Sequence, residues 1–139
     1  MKKLAILVFI PIIFLTSCHL NKKPVDMSQC VIDYGNSKIY SQEELNEGIN
    51  VIKNEFSQLY DHTVYSIKYT TDEESLSELN YYNPSFENRF TECMVFSSDF
   101  KCPPYDTEVR SKNEEIYDWK WVLAREKDGE WTVIASGLD

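Results

Sequence analysis

Apolar positions follow three different rhythms along this chain. From Leu4 to Leu15 they run almost without a break, interrupted by Pro11. Leu45, Ile49, Ile52, Phe56 and Leu59 then recur at steps of four and three. That spacing puts all five on one face of a helix from about Gln42 to Tyr60. Ser41-Gln-Glu-Glu44 reads as a capping box at its start, in which the serine and the glutamate each satisfy the other's backbone N–H. Gly48 is unfavourable in mid-helix and can allow a close approach. Asp61-His62 ends the helix, with His62 read as a polar residue suited to a helix C-terminus.

Beyond Asp61 the rhythm changes to a period of two. Tyr65, Ile67 and Tyr69 alternate with Ser66 and Lys68, which predicts a half-buried strand over 63–70. Asp72 to Leu79 is acidic, with Leu76 and Leu79 three apart, and suits a short helix or a helical turn capped by Asp72. Asn83-Pro84 marks a loop. A second strand is predicted over 93–100. Met94, Phe96, Ser98 and Phe100 lie on one side of it, Cys93, Val95 and Ser97 on the other. Pro103-Pro104 must leave the sheet, because proline cannot donate to the ladder. The last unit is a hairpin, Trp119–Arg125 with Trp131–Ala135, whose Asp128-Gly129 tip suits a type I′ turn. Centring on that tip pairs Val122 with Ala135 and Ala124 with Val133 on one face. Leu123 and Ile134, with Trp121, fall on the other. Both faces are apolar, so one can take the long helix and the other needs a cover: the short helix, the N-terminal segment, a curled sheet or a partner chain.

The first rhythm belongs to a leader. Lys2-Lys3 followed by about a dozen apolar residues has the plan of a secretory signal. The run falls short of the ~20 residues of a spanning helix. Its end, Leu15-Thr16-Ser17-Cys18, resembles the lipobox of bacterial lipoproteins. The resemblance implies a diacylglyceryl group on the Cys18 sulfur, cleavage after Ser17, and a mature chain held on the outer side of a cell membrane or outer membrane. An ordinary signal peptide and a retained anchor are the alternatives. The expected organisation is a signal peptide (1–17), a lipidated tether (18–36), ordered if anywhere near Cys30-Val31-Ile32, and a single domain (37–139).

Charge narrows the partners. The chain carries 14 basic and 23 acidic residues; setting aside Lys2 and Lys3 leaves 12 against 23, or −11. Such a surface is a poor match for nucleic-acid phosphates, and no nucleic-acid partner is expected. The expected partners are the membrane, through Cys18, and a protein.

The order of elements, one long helix and then an antiparallel meander of about four strands, defines an α+β class. With Trp119-x-Trp121-x-Leu123-x-Arg125 and Gly129-x-Trp131, it resembles the cystatin-like and NTF2-like domains of bacterial lipoproteins. Such folds host enzymes and binding proteins alike.

Chemistry-bearing residues are sparse. Cys30, Cys93 and Cys102 allow one bridge. If 93–100 is extended, Cys93 and Cys102 lie some ~30 Å apart, beyond the ~7 Å Cα separation of a disulfide. A bridge involving Cys30, with Cys102 as the candidate partner, therefore stands beside a Cys93–Cys102 bridge that needs an early turn, and beside free thiols. Two isolated histidines, His19 and His62, offer no metal spacing, and no metal or other cofactor is expected. Asp72-Glu73-Glu74 and Glu114-Glu115 read as solvated faces. Asp99 and Asp118, near strand ends, would mark a hydrolase only if they shared a closed cavity, with or without His62. Trp119, Trp121 and Trp131 are read first as core. With Tyr81 and Tyr82 they are also the candidate binding face, since Trp and Tyr dominate interface energetics. The sequence reading is thus a membrane-anchored, non-enzymatic binding module. The alternative is an envelope immunity or inhibitor protein that neutralises a basic toxin or enzyme.

Overall fold

A computed structural model describes residues 21–139. The leader, the lipobox and Cys18 lie outside the described residues. The fold is α+β: a five-stranded sheet with two α-helices.

Helix α1 (Gln42–Ser57) begins as its sequence dictates. The Ser41 N–H donates to Glu44 Oε2 at 2.8 Å, and the Glu44 N–H donates to Ser41 Oγ at 3.2 Å. Leu45, Ile49, Ile52 and Phe56 are buried along one face. The helix stops at Ser57, short of the expected Tyr60. Asp61 takes a left-handed φ of 61° and its N–H donates to the Lys23 carbonyl, which turns the chain back into the sheet. Leu59 still packs against the core from outside the helix.

The sheet runs β1 (Val31–Asp33), β2 (Thr63–Tyr69), β3 (Glu92–Lys101), β4 (Glu115–Arg125), β5 (Thr132–Gly137), in that spatial order. The strand β1 corrects the expectation of four strands. It pairs parallel to β2, Ile32 opposite Ile67, while every other pair is antiparallel. The expected tether is therefore bound to the fold for most of its length. Asp26 bridges to Thr63, and Val25, Met27, Ile32 and Tyr34 pack on the core.

The short helix expected from Asp72 is α2 (Asp72–Tyr82), so the fold has two helices where the fold-class expectation counted one long helix. Thr71 caps it, accepting from the Glu74 N–H, and Asp72 is its first residue. A 3₁₀ turn, Asn83–Phe86, follows, with Pro84 near its start.

The two helices cover opposite faces of the sheet. Below α1 lie Met94, Phe96, Phe100, Trp121 and Leu123. Below α2 lie Cys93, Val95 and Val122, with Leu79 and Tyr82 packed on them. The second apolar face of the hairpin thus finds its cover in the short helix. Ser75, almost fully buried, makes the close approach possible: its Oγ accepts the Val95 N–H at 3.0 Å.

Two bulges revise the expected registers. One between Val64 and Ser66 puts Val64, not Tyr65, in the core, and Tyr65 reaches out to Glu115. The other falls in the final hairpin. Val122 pairs with Ala135 as expected, but Leu123 meets Val133 and Ala124 meets Thr132. Ile134 is thereby moved to the α2 face beside Val122. At the tip only Asp128 is left-handed (φ 59°), and the Gly129 N–H closes the turn on the Glu126 carbonyl. A type I′ turn needs two such residues in succession, so the expected tip is replaced.

Candidate functional site

The tryptophans are spent on the core. Trp121 and Trp131 are buried, and Trp119 packs on the same cluster from its edge. The Trp121 indole lies 5.2 Å from the Phe56 ring and its N–H donates to Ser98 Oγ at 3.0 Å. Trp131 lies under the Arg125 guanidinium, 4.5 Å from ring centre to Cζ. Trp119 sits between Phe100 and Arg110. Tyr81 and Tyr82 belong to α2, on the other side of the sheet. Their rings meet edge to face at 4.9 Å; Tyr81 is exposed, while Tyr82 is half-buried. These five residues do not form one face, which corrects that expectation.

Of the alternatives for the cysteines the structure shows free thiols at Cys30, Cys93 and Cys102, which corrects the candidate Cys30–Cys102 bridge. Cys30 immediately precedes β1 and Cys102 immediately follows β3, with β2 between the two strands. Two strand spacings of ~4.8 Å already exceed the Cα reach of a disulfide. Burial, with Glu78 nearby, pushes the Cys93 thiol up to about 12, so it stays protonated and unreactive.

Asp99 and Asp118 do meet. The bulge opposite Asp99 gives Asp118 a φ of 55°, and the Asp118 N–H donates to Asp99 Oδ1 at 2.8 Å. His62 is held elsewhere, with Nδ1 2.9 Å from the Tyr60 carbonyl and its ring against Phe100 on the α1 side. The three do not converge.

A hollow built from several elements lies beside α2. That helix covers only part of its face, and the rest of the sheet opens into a hollow of about 330 Å³. Lys68 of β2, Ser97 of β3, Asp118 and Lys120 of β4, Thr70 and Thr71 before α2, Glu74 of α2, and Asp139 line it, over Phe96. Lys120 is its electrostatic centre. Nζ stands 2.8 Å from Asp139, 3.2 Å from Glu78 and 3.3 Å from Glu74. The bond to Asp139 and those to the two glutamates outweigh burial and raise the Lys120 pKa. The ammonium therefore stays charged and is no general base. The hollow thus presents hydroxyls, an ion cluster and the exposed Lys68 cation, a lining suited to a polar ligand or a side chain of a partner.

Sequence reasoning missed this cluster. Glu74 and Glu78, four apart on α2, were its one local sign. Lys120 and Asp139 join them only through the sheet. No protein-family model, curated protein or solved structure matches the chain. Among the described residues no helix is long and apolar enough to cross a membrane.

Proposed function

We propose that this chain is a lipid-anchored extracytoplasmic protein of the bacterial envelope, held by Cys18 in the cell membrane or outer membrane, that acts by binding. The observation that carries the location is Lys2-Lys3, the apolar run and Leu15-Thr16-Ser17-Cys18 in immediate succession. Several acyl chains give a lasting hold, at ~0.8 kcal/mol per buried CH₂, where a single chain gives a marginal one. The binding role is supported by the hollow beside α2 and by two exposed tyrosines, Tyr81 on α2 and Tyr117 on β4. The packing of α1 on the antiparallel part of the sheet supports the cystatin-like or NTF2-like comparison, with β1 and α2 as additions to it.

A second reading, an immunity or inhibitor protein for a basic toxin or enzyme, is favoured by the charge distribution. Stretches 41–47, 87–92 and 125–131 hold eight carboxylates against three cations. These stretches are joined by ion pairs of Arg125 with Glu44, Glu47 and Glu92. An acidic surface of this kind steers a basic partner and sets its orientation.

Cys18→Ala tests the location. Radiolabelled fatty acid should enter the wild type and not the variant, and the variant should leave the membrane fraction. Label retained by Cys18→Ala would refute the anchor. A photoreactive residue at Tyr117 tests binding in intact envelopes. A discrete adduct, lost when Lys68 is changed to Glu, is the expected product. Steady turnover of a substrate by the soluble 19–139 fragment would refute the non-enzymatic reading.

A further inference from the structure

We propose that the domain rests on the bilayer through a defined end, formed by the α1–β2 turn and the β3–β4 loop, with Tyr60, Tyr105 and Val109 at the lipid surface. The inference rests on the lipid-anchor reading and deepens it by naming the face that meets lipid.

The first argument is reach. The chain is tied to the fold from Lys23 onward: the Lys23 N–H donates to Asp61 Oδ1 at 2.9 Å, and its carbonyl accepts from the Asp61 N–H at 2.8 Å. Only five residue steps separate Cys18 from Lys23, and five steps extend at most ~18 Å. A domain of this size is roughly 35 Å across, from a radius of gyration near 13 Å. The anchor is therefore shorter than the domain is wide, and the end that carries Lys23 stays beside the membrane.

The second argument is composition at that end. β2 starts there, β3 ends there and β4 starts there, since Thr63 pairs with Lys101 and Lys101 with Glu115. Three large apolar side chains are exposed there: Tyr60 at 50%, Tyr105 at 43% and Val109 at 82%. Tyr105 is held in place by a 2.8 Å hydrogen bond to Asp61 Oδ2, so its ring extends the Lys23–Asp61 clamp. Tyrosine, with an apolar ring and a polar tip, suits a membrane interface.

The third argument is charge. Stretches 21–23, 58–63 and 101–115 hold five cations and five carboxylates, whereas the opposite end carries the eight-to-three acidic excess. The ten residue steps of β4 set the two ends ~33 Å apart. An anionic leaflet repels the acidic end, and the balanced end meets little repulsion. The same orientation directs the acidic end away from the membrane, where a soluble partner arrives.

Hydrogen exchange on the acylated full chain tests this. The protein would be reconstituted in phosphatidylcholine vesicles with phosphatidylglycerol as the minor lipid and compared with Cys18→Ala protein free in solution. Exchange should slow several-fold over 58–62 and 103–110 on vesicles and stay unchanged over 125–131. A Tyr60→Ser/Tyr105→Ser variant should still float with the vesicles but lose that slowing. Acylated, floating protein with unaltered exchange at 58–62 and 103–110, or with slowing at 125–131 instead, would overturn the docking face and leave the anchor intact. An unmodified Cys18 by mass spectrometry of protein from its envelope would overturn the anchor, and the docking face with it.

Discussion

Asp72 joins three parts of the chain at one carboxylate. Oδ1 accepts from the Ser37 hydroxyl at 2.6 Å and from the Tyr69 hydroxyl at 2.8 Å, and Oδ2 accepts from the Lys38 N–H at 2.8 Å. Desolvation pulls its pKa up, but the bonds from Ser37, Lys38 and Tyr69 outweigh it, and the net shift is downward. A lowered carboxylate pKa adds stability above the unfolded value, ~3.9, and that contribution disappears as pH falls through the folded one. Asp72→Ala should cost about 1–2 kcal/mol at neutral pH, from lost hydrogen bonds and the lost charge at a helix start. Urea unfolding near pH ~7 and pH ~3 should show the gap to wild type narrowing in acid. Arg125 makes a similar junction. Its Nε lies 2.6 Å from Glu92 while the guanidinium covers Trp131. Arg125→Lys keeps the charge but loses the planar fork and much of the stacking, and should lower stability by about 1 kcal/mol.

At the scale of elements, the contact between α1 and the sheet is set by Gly48. A Cβ there would lie 2.9 Å from Phe96 Cε2 and 3.0 Å from Met94 Sδ. Alanine gains ~1 kcal/mol of helix propensity, but overpacking a fully buried ring costs about 1–3 kcal/mol. Gly48→Ala should therefore lower the thermal midpoint, and a raised midpoint would show that Phe96 can give way. Ile52 is fully buried on the same face. Ile52→Asp places an unpaired charge in the core, and the several kcal/mol this costs is comparable with the ~5–15 kcal/mol total stability of a domain. Loss of the far-ultraviolet helical signal is the expected readout.

For the whole molecule, the N-terminal segment is a structural part of the sheet. Val25, Met27, Ile32 and Tyr34 pack on the core, and Tyr34 donates to Asn46 of α1 at 2.6 Å. A fragment of residues 37–139 should melt well below the 19–139 fragment, or fail to stay soluble, because the β2 edge and this part of the core become exposed. Equal melting of the two would mean that the segment is dispensable. For the same reason a lipid on Cys18 would hold the domain close to the bilayer and not on a long leash.

Features that depend on neighbours in sequence were legible before the structure. The Ser41–Glu44 cap, the buried stripe of α1, the two faces of β3 and the hairpin with Val122 opposite Ala135 all follow from side-chain period and local hydrogen bonding. What depends on distant segments was not. The stretch around Val31 carries an apolar Cys30-Val31-Ile32 that hints at order but is too short to announce a strand, and it becomes one because β2 offers a free edge. The bulges that move Tyr65 and Ile134 serve packing that no local window contains. The Lys120 cluster takes its members from β4, α2 and position 139, which approach only when α2 crosses the sheet. Helical and strand periodicity is a local property of the chain; strand order, edge pairing and the meeting of charges are decided by the competition of distant segments for the same buried surface.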